Sequence, residues 1–304
     1  MAASKSVRVK VDGQVLPLSN LDKVLYPKVG FTKGEVIDYY TRIADALLPH
    51  VADRPLTRKR WPDGVEKQPF FEKNAPRGTP DWVRTVKIAS PGSTRGTEEV
   101  EYVVVERLAT LVWLANLAAL ELHVPQWKVG PRGAIHKPDL LVIDLDPGPP
   151  ADLVNCCEVA LLLREKFDAD GLEAWAKTSG SKGMQLYLPL AETPGEKTSA
   201  YAKELAEQLA RERPDLVVAT MTRAIRPGKV FLDWSQNNTA KTTVAPYSLR
   251  GNERPTVSTP LTWDEVEACR KVADLTFAPD EVLERVEADG DLFEPLASTR
   301  QRLP

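Results

Sequence analysis

Leu140-Leu141-Val142-Ile143-Asp144-Leu145-Asp146-Pro147-Gly148 is the stretch whose reading decides the fold. Four apolar residues in a row followed by Asp-x-Asp predict a buried strand of a central sheet that ends at a polar edge, and Pro147-Gly148 stops the ladder. Side chains alternate along a strand, so Asp144 and Asp146 face one way and Leu145 faces the packing layer. A second apolar run, Val230-Phe231-Leu232-Asp233, repeats the arrangement with one carboxylate. Three carboxylates on two strand ends point to a divalent-metal site, because magnesium and manganese take oxygen ligands and keep positions open for substrate phosphates. A strand ending in a polar turn would account for Asp-x-Asp-Pro-Gly alone. Asp233 favours the metal reading, since a carboxylate in an apolar strand needs a partner.

Outward from that stretch, 304 residues with 42% hydrophobic content allow a substantial core, and no linker or low-complexity segment divides them, so one domain over residues 1–304 is expected. The longest apolar segment, Leu108 to Leu122, carries Asn116 and Glu121 and falls short of the roughly 20 residues a bilayer requires. The first residues, Met-Ala-Ala-Ser-Lys-Ser, have no apolar signal core. A soluble cytoplasmic protein without membrane contact is expected. Cys156, Cys157 and Cys269 form no Cys-x-x-Cys, which disfavours a zinc knuckle or a disulfide framework. Forty basic against 43 acidic residues, net −3, exclude an overall cationic coat but permit local basic grooves around an acidic site.

Val7-Arg8-Val9-Lys10-Val11 alternates and Asp12-Gly13 is a hairpin turn, so the chain opens with an antiparallel hairpin. Lys10-Val11-Asp12-Gly13 also matches the short motif around the adenylated lysine of DNA ligases, but the hairpin explains those residues fully. Thr32 and Glu35 form a capping box before a helix expected to run to about His50. Periodicity predicts further helices near 106–122, 152–167, 198–212, 263–273 and 280–288, with strands near 55–61, 100–105, 140–145, 173–177, 184–189, 216–220 and 229–234. That mixture is an α/β or α+β fold with the carboxylates on a central sheet.

Between the two acidic strands lies Thr178-Ser179-Gly180-Ser181-Lys182-Gly183. It lacks Walker A spacing, yet such a turn can aim backbone N–H groups, Ser181 and Lys182 at a triphosphate. Arg58-Lys59-Arg60-Trp61 with Phe70-Phe71-Glu72-Lys73 interleaves cations and aromatics as a surface that neutralises phosphates and stacks bases would. Arg223, Arg226 and Lys229 make a basic loop before the Asp233 strand. His123, expected at the end of the apolar helix, is either structural or a donor to a phosphate oxygen.

Together these segments resemble the primase-polymerase domain of bacterial ligase D and its stand-alone relatives of the type associated with ligase C, within the archaeo-eukaryotic primase superfamily. The resemblance rests on Asn20-Leu-Asp-Lys-Val-Leu-Tyr-Pro27, Thr57-Arg-Lys-Arg-Trp-Pro62, Phe70-Phe-Glu-Lys73, Glu121-Leu-His-Val-Pro-Gln-Trp127, Asp144-Leu-Asp-Pro-Gly148, Thr178-Ser-Gly-Ser-Lys-Gly183, Val230-Phe-Leu-Asp-Trp-Ser-Gln-Asn237 and Pro246-Tyr-Ser-Leu-Arg-Gly251. It implies a primase-like catalytic core of central β-sheets flanked by helices. It implies Asp144, Asp146 and Asp233 as catalytic metal ligands for two manganese or magnesium ions. It places Lys59, Phe71, His123, Ser181, Lys182, Gln236 and Arg250 around the incoming nucleotide, Asn20, Lys23 and Lys33 around the 5'-phosphate of DNA, and Arg226 in a template and primer loop. The activity implied is template-directed filling of short gaps, with ribonucleotides preferred. The implied partners are gapped or broken duplex DNA, NTP or dNTP, a separate ATP-dependent DNA ligase and Ku, at the nucleoid, in excision repair or end joining. This chain departs from the pattern at Gln185, where the family usually has histidine; an amide donates a hydrogen bond but carries no charge. Two other classes compete. A nucleotide-sugar glycosyltransferase would use Asp-x-Asp but leave Asp233, Lys23 and Lys33 without a role, and a non-catalytic DNA-end adaptor for a ligase would not need an intact carboxylate triad.

Overall fold

The strand Leu140–Pro147 lies third in a six-stranded sheet whose order is Val217–Val218, Val230–Asp233, Leu140–Pro147, Met184–Pro189, Trp175–Thr178, Pro260–Leu261. All neighbours are antiparallel except the first pair. The structure is a computed structural model that describes residues 6–89 and 99–304. The reading of residues 1–5 as lacking a signal core lies outside the described residues.

Leu141, Ile143 and Leu145 are fully buried and pack with the helices Leu153–Ala169 and Gly195–Glu212 into one core. A second sheet, ordered Thr243–Val244, Ala119–Val124, Pro55–Arg60, Glu99–Val104, Thr85–Ala89, carries Phe70–Glu72 beside Pro55–Arg60. It packs against the helices Lys33–Arg42, Ala44–Val51 and Leu108–Asn116 to form the other large core. Helices covering sheets that mostly pair antiparallel give the mixed α/β architecture expected from the sequence. Among the described residues no helix is long and apolar enough to cross a membrane.

The N-terminal hairpin is present as Ser6–Val11 and Gln14–Ser19, with Asp12 and Gly13 at φ +48° and +78° in the turn and Asp12 Oδ2 accepting from the Ala109 N–H at 2.9 Å. The ligase-like tetrapeptide is thus accounted for by a turn. The Thr32–Glu35 capping box forms as expected.

Three element predictions need correction. The helix expected to reach His50 is two helices meeting at Ile43. The helix expected over 263–273 stops at Ala268, where Cys269 turns extended. The long helix expected over 106–122 ends at Asn116, and Ala118 at φ +57° turns the chain into the strand Ala119–Val124. His123 is therefore a strand residue. Buried central strands and buried helices are both continuous apolar runs, so periodicity could not separate the two halves of that segment.

Candidate active site

Sheet register brings the acidic residues together. Asp144 sits directly opposite Asp233 on one side and Gln185 on the other, and Asp146 follows two residues on along the same face. One ligand oxygen from each of Asp144, Asp146 and Asp233 lies within 4.8 Å of the others. Asp144 is buried, and its Oδ1 accepts from Gln185 Nε2 at 3.0 Å. Burial, then the charges of Asp146 and Asp233, push the Asp144 carboxyl up to about 7, although Gln185 and Lys177 pull the other way. Burial and Asp233 also raise Asp146, opposed by Arg226 and Arg250. Asp233 accepts from Ser235 N at 3.1 Å and from Gln236 Nε2 at 3.0 Å, so it also caps the turn Trp234–Asn237. Three convergent hard oxygen donors whose mutual repulsion this chain only partly offsets fit a divalent cation.

The Thr178–Gly183 loop lies against the acidic strand because its glycines permit contact. Gly180 has φ +67°, and a Cβ there would stand 2.6 Å from Val257 backbone atoms; a Cβ on Gly183 would stand 2.1 Å from the Leu145 carbonyl oxygen. Ser179 Oγ accepts from the N–H groups of Ser181 and Gly183, both at 3.2 Å. Ser181 and Lys182 are thereby left on the lining of a pocket of about 300 Å³ that also holds His123, Asp144, Asp146, Gln185, Gln236 and Arg250. Seven of the site residues expected from the sequence line this one pocket, and Asp233 adjoins them through Asp144 and Gln236.

Lys59 and Phe71 are cross-strand partners, and neither is among the residues that line the pocket. Phe71 is half exposed, whereas Lys59 Nζ lies 3.3 Å from Glu121 Oε2. The basic and aromatic cluster around them is smaller than its composition implied: Arg58 is fully buried, Arg58 and Arg60 are both tied to Glu72 at 2.9 Å, and Trp61 is in the core. Arg226 lies on the turn before the Asp233 strand, with its guanidinium 3.6 Å over the Phe231 ring and Nη2 donating to the Met221 carbonyl at 2.8 Å.

Asn20, Lys23 and Lys33 form a second cluster, and none of them lines the acidic pocket. Lys23 N donates to Asn20 O at 3.0 Å and Lys33 N to Lys23 O at 2.8 Å. Lys33 Nζ donates to the Ser19 carbonyl at 2.6 Å, and burial followed by repulsion from Lys23 lowers its pKa to about 8. Asp63, which pairs with Lys23 at 2.9 Å, was not foreseen.

Sequence reasoning also missed Glu121 and Lys177 as parts of the site. Lys177 is fully buried, donates to Ser258 Oγ at 2.5 Å and stands 5.4 Å from the Tyr187 ring centroid. Nothing in its local sequence marks it. Glu121 did carry a signal, as a lone carboxylate within an apolar run.

Residues 32–293 match the family model described as LigD, primase-polymerase domain. The chain is 47% identical over 282 residues to the multifunctional non-homologous end joining protein LigD of Mycolicibacterium smegmatis, covering 92% of this chain and 36% of that protein. It is 35% identical over 280 residues to the bifunctional non-homologous end joining protein LigD of Bacillus subtilis, covering 91% and 43%. The chain thus spans less than half the length of these relatives. The solved polymerase domain of Mycobacterium tuberculosis ligase D in complex with DNA superposes with a TM-score of 0.86 at 42% identity, covering 94% of this chain and 99% of that one.

Proposed function

We infer, because the chain belongs to the LigD primase-polymerase domain family of DNA-directed nucleotidyltransferases, that its acidic pocket adds nucleotides to a primer 3'-hydroxyl at short gaps or breaks in DNA. The observation that carries this reading is one pocket lined by Asp144, Asp146, Lys182, His123 and Arg250, with the Asp233 carboxylate beside Asp144 and Asp146. Phosphoryl transfer needs both signs of charge in that relation: oxygen donors for metal, and donors to the phosphates.

Asp144, Asp146 and Asp233 would hold the two manganese or magnesium ions. When bound, the ions supply acidification of the 3'-hydroxyl and charge for the triphosphate. Lys182 and Arg250 neutralise the phosphates, His123, Ser181 and Gln236 donate hydrogen bonds, and Phe71 and Lys59 hold the nucleotide. Asn20, Lys23 and Lys33 take the downstream 5'-phosphate, and Arg226 places template and primer near Asp146. A domain that holds both ends of a gap favours filling a few nucleotides and leaving a nick for a separate ATP-dependent ligase. That assigns it to excision repair or to end joining with Ku, at the nucleoid in the cytoplasm. Ribonucleotides are the favoured substrates.

Extension of a primer across a one-nucleotide gap, with each metal and each nucleotide type, tests this reading. The expected result is faster addition with manganese, with ribonucleotides and with a 5'-phosphate at the gap. Long synthesis on an open template, indifferent to the 5'-phosphate, would overturn it.

A further inference from the structure

Glu121 lies in the middle of the central strand Ala119–Val124 and is 3% exposed. A carboxylate so placed needs counter-charge and hydrogen bonds, and it has both. His123 Nε2 lies 2.8 Å from Oε2, Lys59 Nζ 3.3 Å from Oε2, and Arg250 Nε 3.3 Å from Oε1, while the Gly251 N–H donates to Oε1 at 3.1 Å. The two cationic side chains and the imidazole come from three separate strands, and burial outweighs the Glu121 hydrogen bond and charge to hold the His123 pKa below its ordinary value, so the ring is a hydrogen-bonding partner rather than a fixed cation. Burial alone would push the Glu121 carboxyl up, but the His123 hydrogen bond and the Arg250 and Lys59 charges more than reverse it, leaving it well below the usual carboxylate range.

The layering is informative. The side chains of Lys59, Arg250 and His123 are 28%, 16% and 15% exposed, against 3% for the carboxylate beneath them. Glu121 is therefore a floor on which two cationic groups and an imidazole rest, and of these His123 and Arg250 line the acidic pocket. Left without it, Lys59 and Arg250 would repel one another and, with His123, relax toward solvent, so a triphosphate would have to gather them at its own cost in binding.

We propose that Glu121 is the positioning residue of the triphosphate site: its buried carboxylate gathers the Lys59 and Arg250 cations and the His123 imidazole into one preorganised array of donors. This rests on the reading of the pocket as a nucleotide site. Nothing in it requires Glu121 to touch the nucleotide.

The test is ATP affinity in the presence of manganese, measured for the wild type, for Glu121→Gln, for Lys59→Gln with Arg250→Gln, and for all three changes combined. Glu121→Gln keeps the shape of the side chain and should raise the ATP Kd by at least about tenfold, with the loss of extension appearing mainly in nucleotide KM. The same change should cost less than about twofold once Lys59 and Arg250 are already neutral, because there is little left to position. Gapped-DNA affinity should stay within about twofold throughout. Unchanged ATP affinity in Glu121→Gln, or an equal loss in both backgrounds, would overturn the positioning role while leaving the proposed function standing. A wild type that binds no ATP would remove both. If Glu121→Gln fails to fold, Glu121→Asp replaces it: its carboxylate keeps the charge but sits one methylene short of its partners, so a severalfold rise in Kd upholds the role and wild-type affinity overturns it.

Discussion

Asp144 and Glu121 are both buried carboxylates on sheet strands, the first lining the acidic pocket and the second beneath two residues that line it, and their environments drive them in opposite directions. Asp144 faces Asp233 across the ladder and Asp146 two residues along, so burial and like charge raise its pKa to about 7. Glu121 faces Lys59, His123 and Arg250, so the same burial is overcome and its pKa falls. The acidic cluster keeps like charges together with only partial compensation, whereas the carboxylate beneath His123 and Arg250 has been counter-charged by the fold. On the function proposed above, this difference of neighbours would divide the site into a cation-accepting side and a phosphate-accepting side.

The harshest way to break this division is to delete the acidic side. Asp144→Ala with Asp146→Ala should lower the rate of nucleotide addition by roughly a thousandfold or more, while affinity for 5'-phosphorylated gapped DNA stays within about threefold. Single-turnover extension and a DNA titration on the same preparation check both halves. Retained extension would end the assignment of these carboxylates.

Thermal denaturation in a chelator sharpens the contrast through opposite signs. Asp144→Asn removes a repelled charge and should raise Tm, whereas Glu121→Gln strands the Lys59 and Arg250 cations and should lower it, through a loss of stability on the order of 3 kcal/mol as when a buried pair is broken. Equal signs for the two substitutions would show that neighbours do not set their behaviour.

Much of this was legible in the sequence, and the failures have physical causes. The acidic strand was readable because alternation fixes which way Asp144 and Asp146 face. The Thr32 capping box and the Asp12-Gly13 turn were readable because each is a local hydrogen-bonding arrangement with its own residue types. The strand bearing Glu121 and His123 was read as helix, since its apolar run continues from the preceding helix and only the positive φ at Ala118 separates them. Contacts such as Asp233 beside Asp144, or Arg250 beside Glu121, join residues 89 and 129 positions apart and depend on register, which a single sequence does not reveal.

A smaller effect separates the acidic pocket from the cluster of Asn20, Lys23 and Lys33. Lys33 has a pKa lowered to about 8, so it is charged below that pH and neutral above it. The affinity advantage of a 5'-phosphate over a 5'-hydroxyl should shrink as pH rises from about 7 to about 9.5, as the ammonium is lost. Fluorescence anisotropy with both DNA ends at each pH reads this directly, and a constant ratio would place phosphate recognition elsewhere. Replacing Lys23 and Lys33 should likewise weaken binding to the phosphorylated end far more than to the hydroxyl end.

The smallest effect is expected at Gln185, whose amide donates to Asp144. Gln185→His preserves a donor, so nucleotide KM should change by less than about threefold, with little new pH dependence in steady-state kinetics. A larger change would make this position a determinant of metal or nucleotide affinity.

Calorimetric titration of manganese into the nucleotide-free protein tests the division of the pocket most directly. The wild type and Glu121→Gln should both bind manganese with similar affinity, and Asp144→Ala with Asp146→Ala should lose that binding. Undiminished manganese binding by the double alanine variant, or its loss in Glu121→Gln alone, would contradict the account.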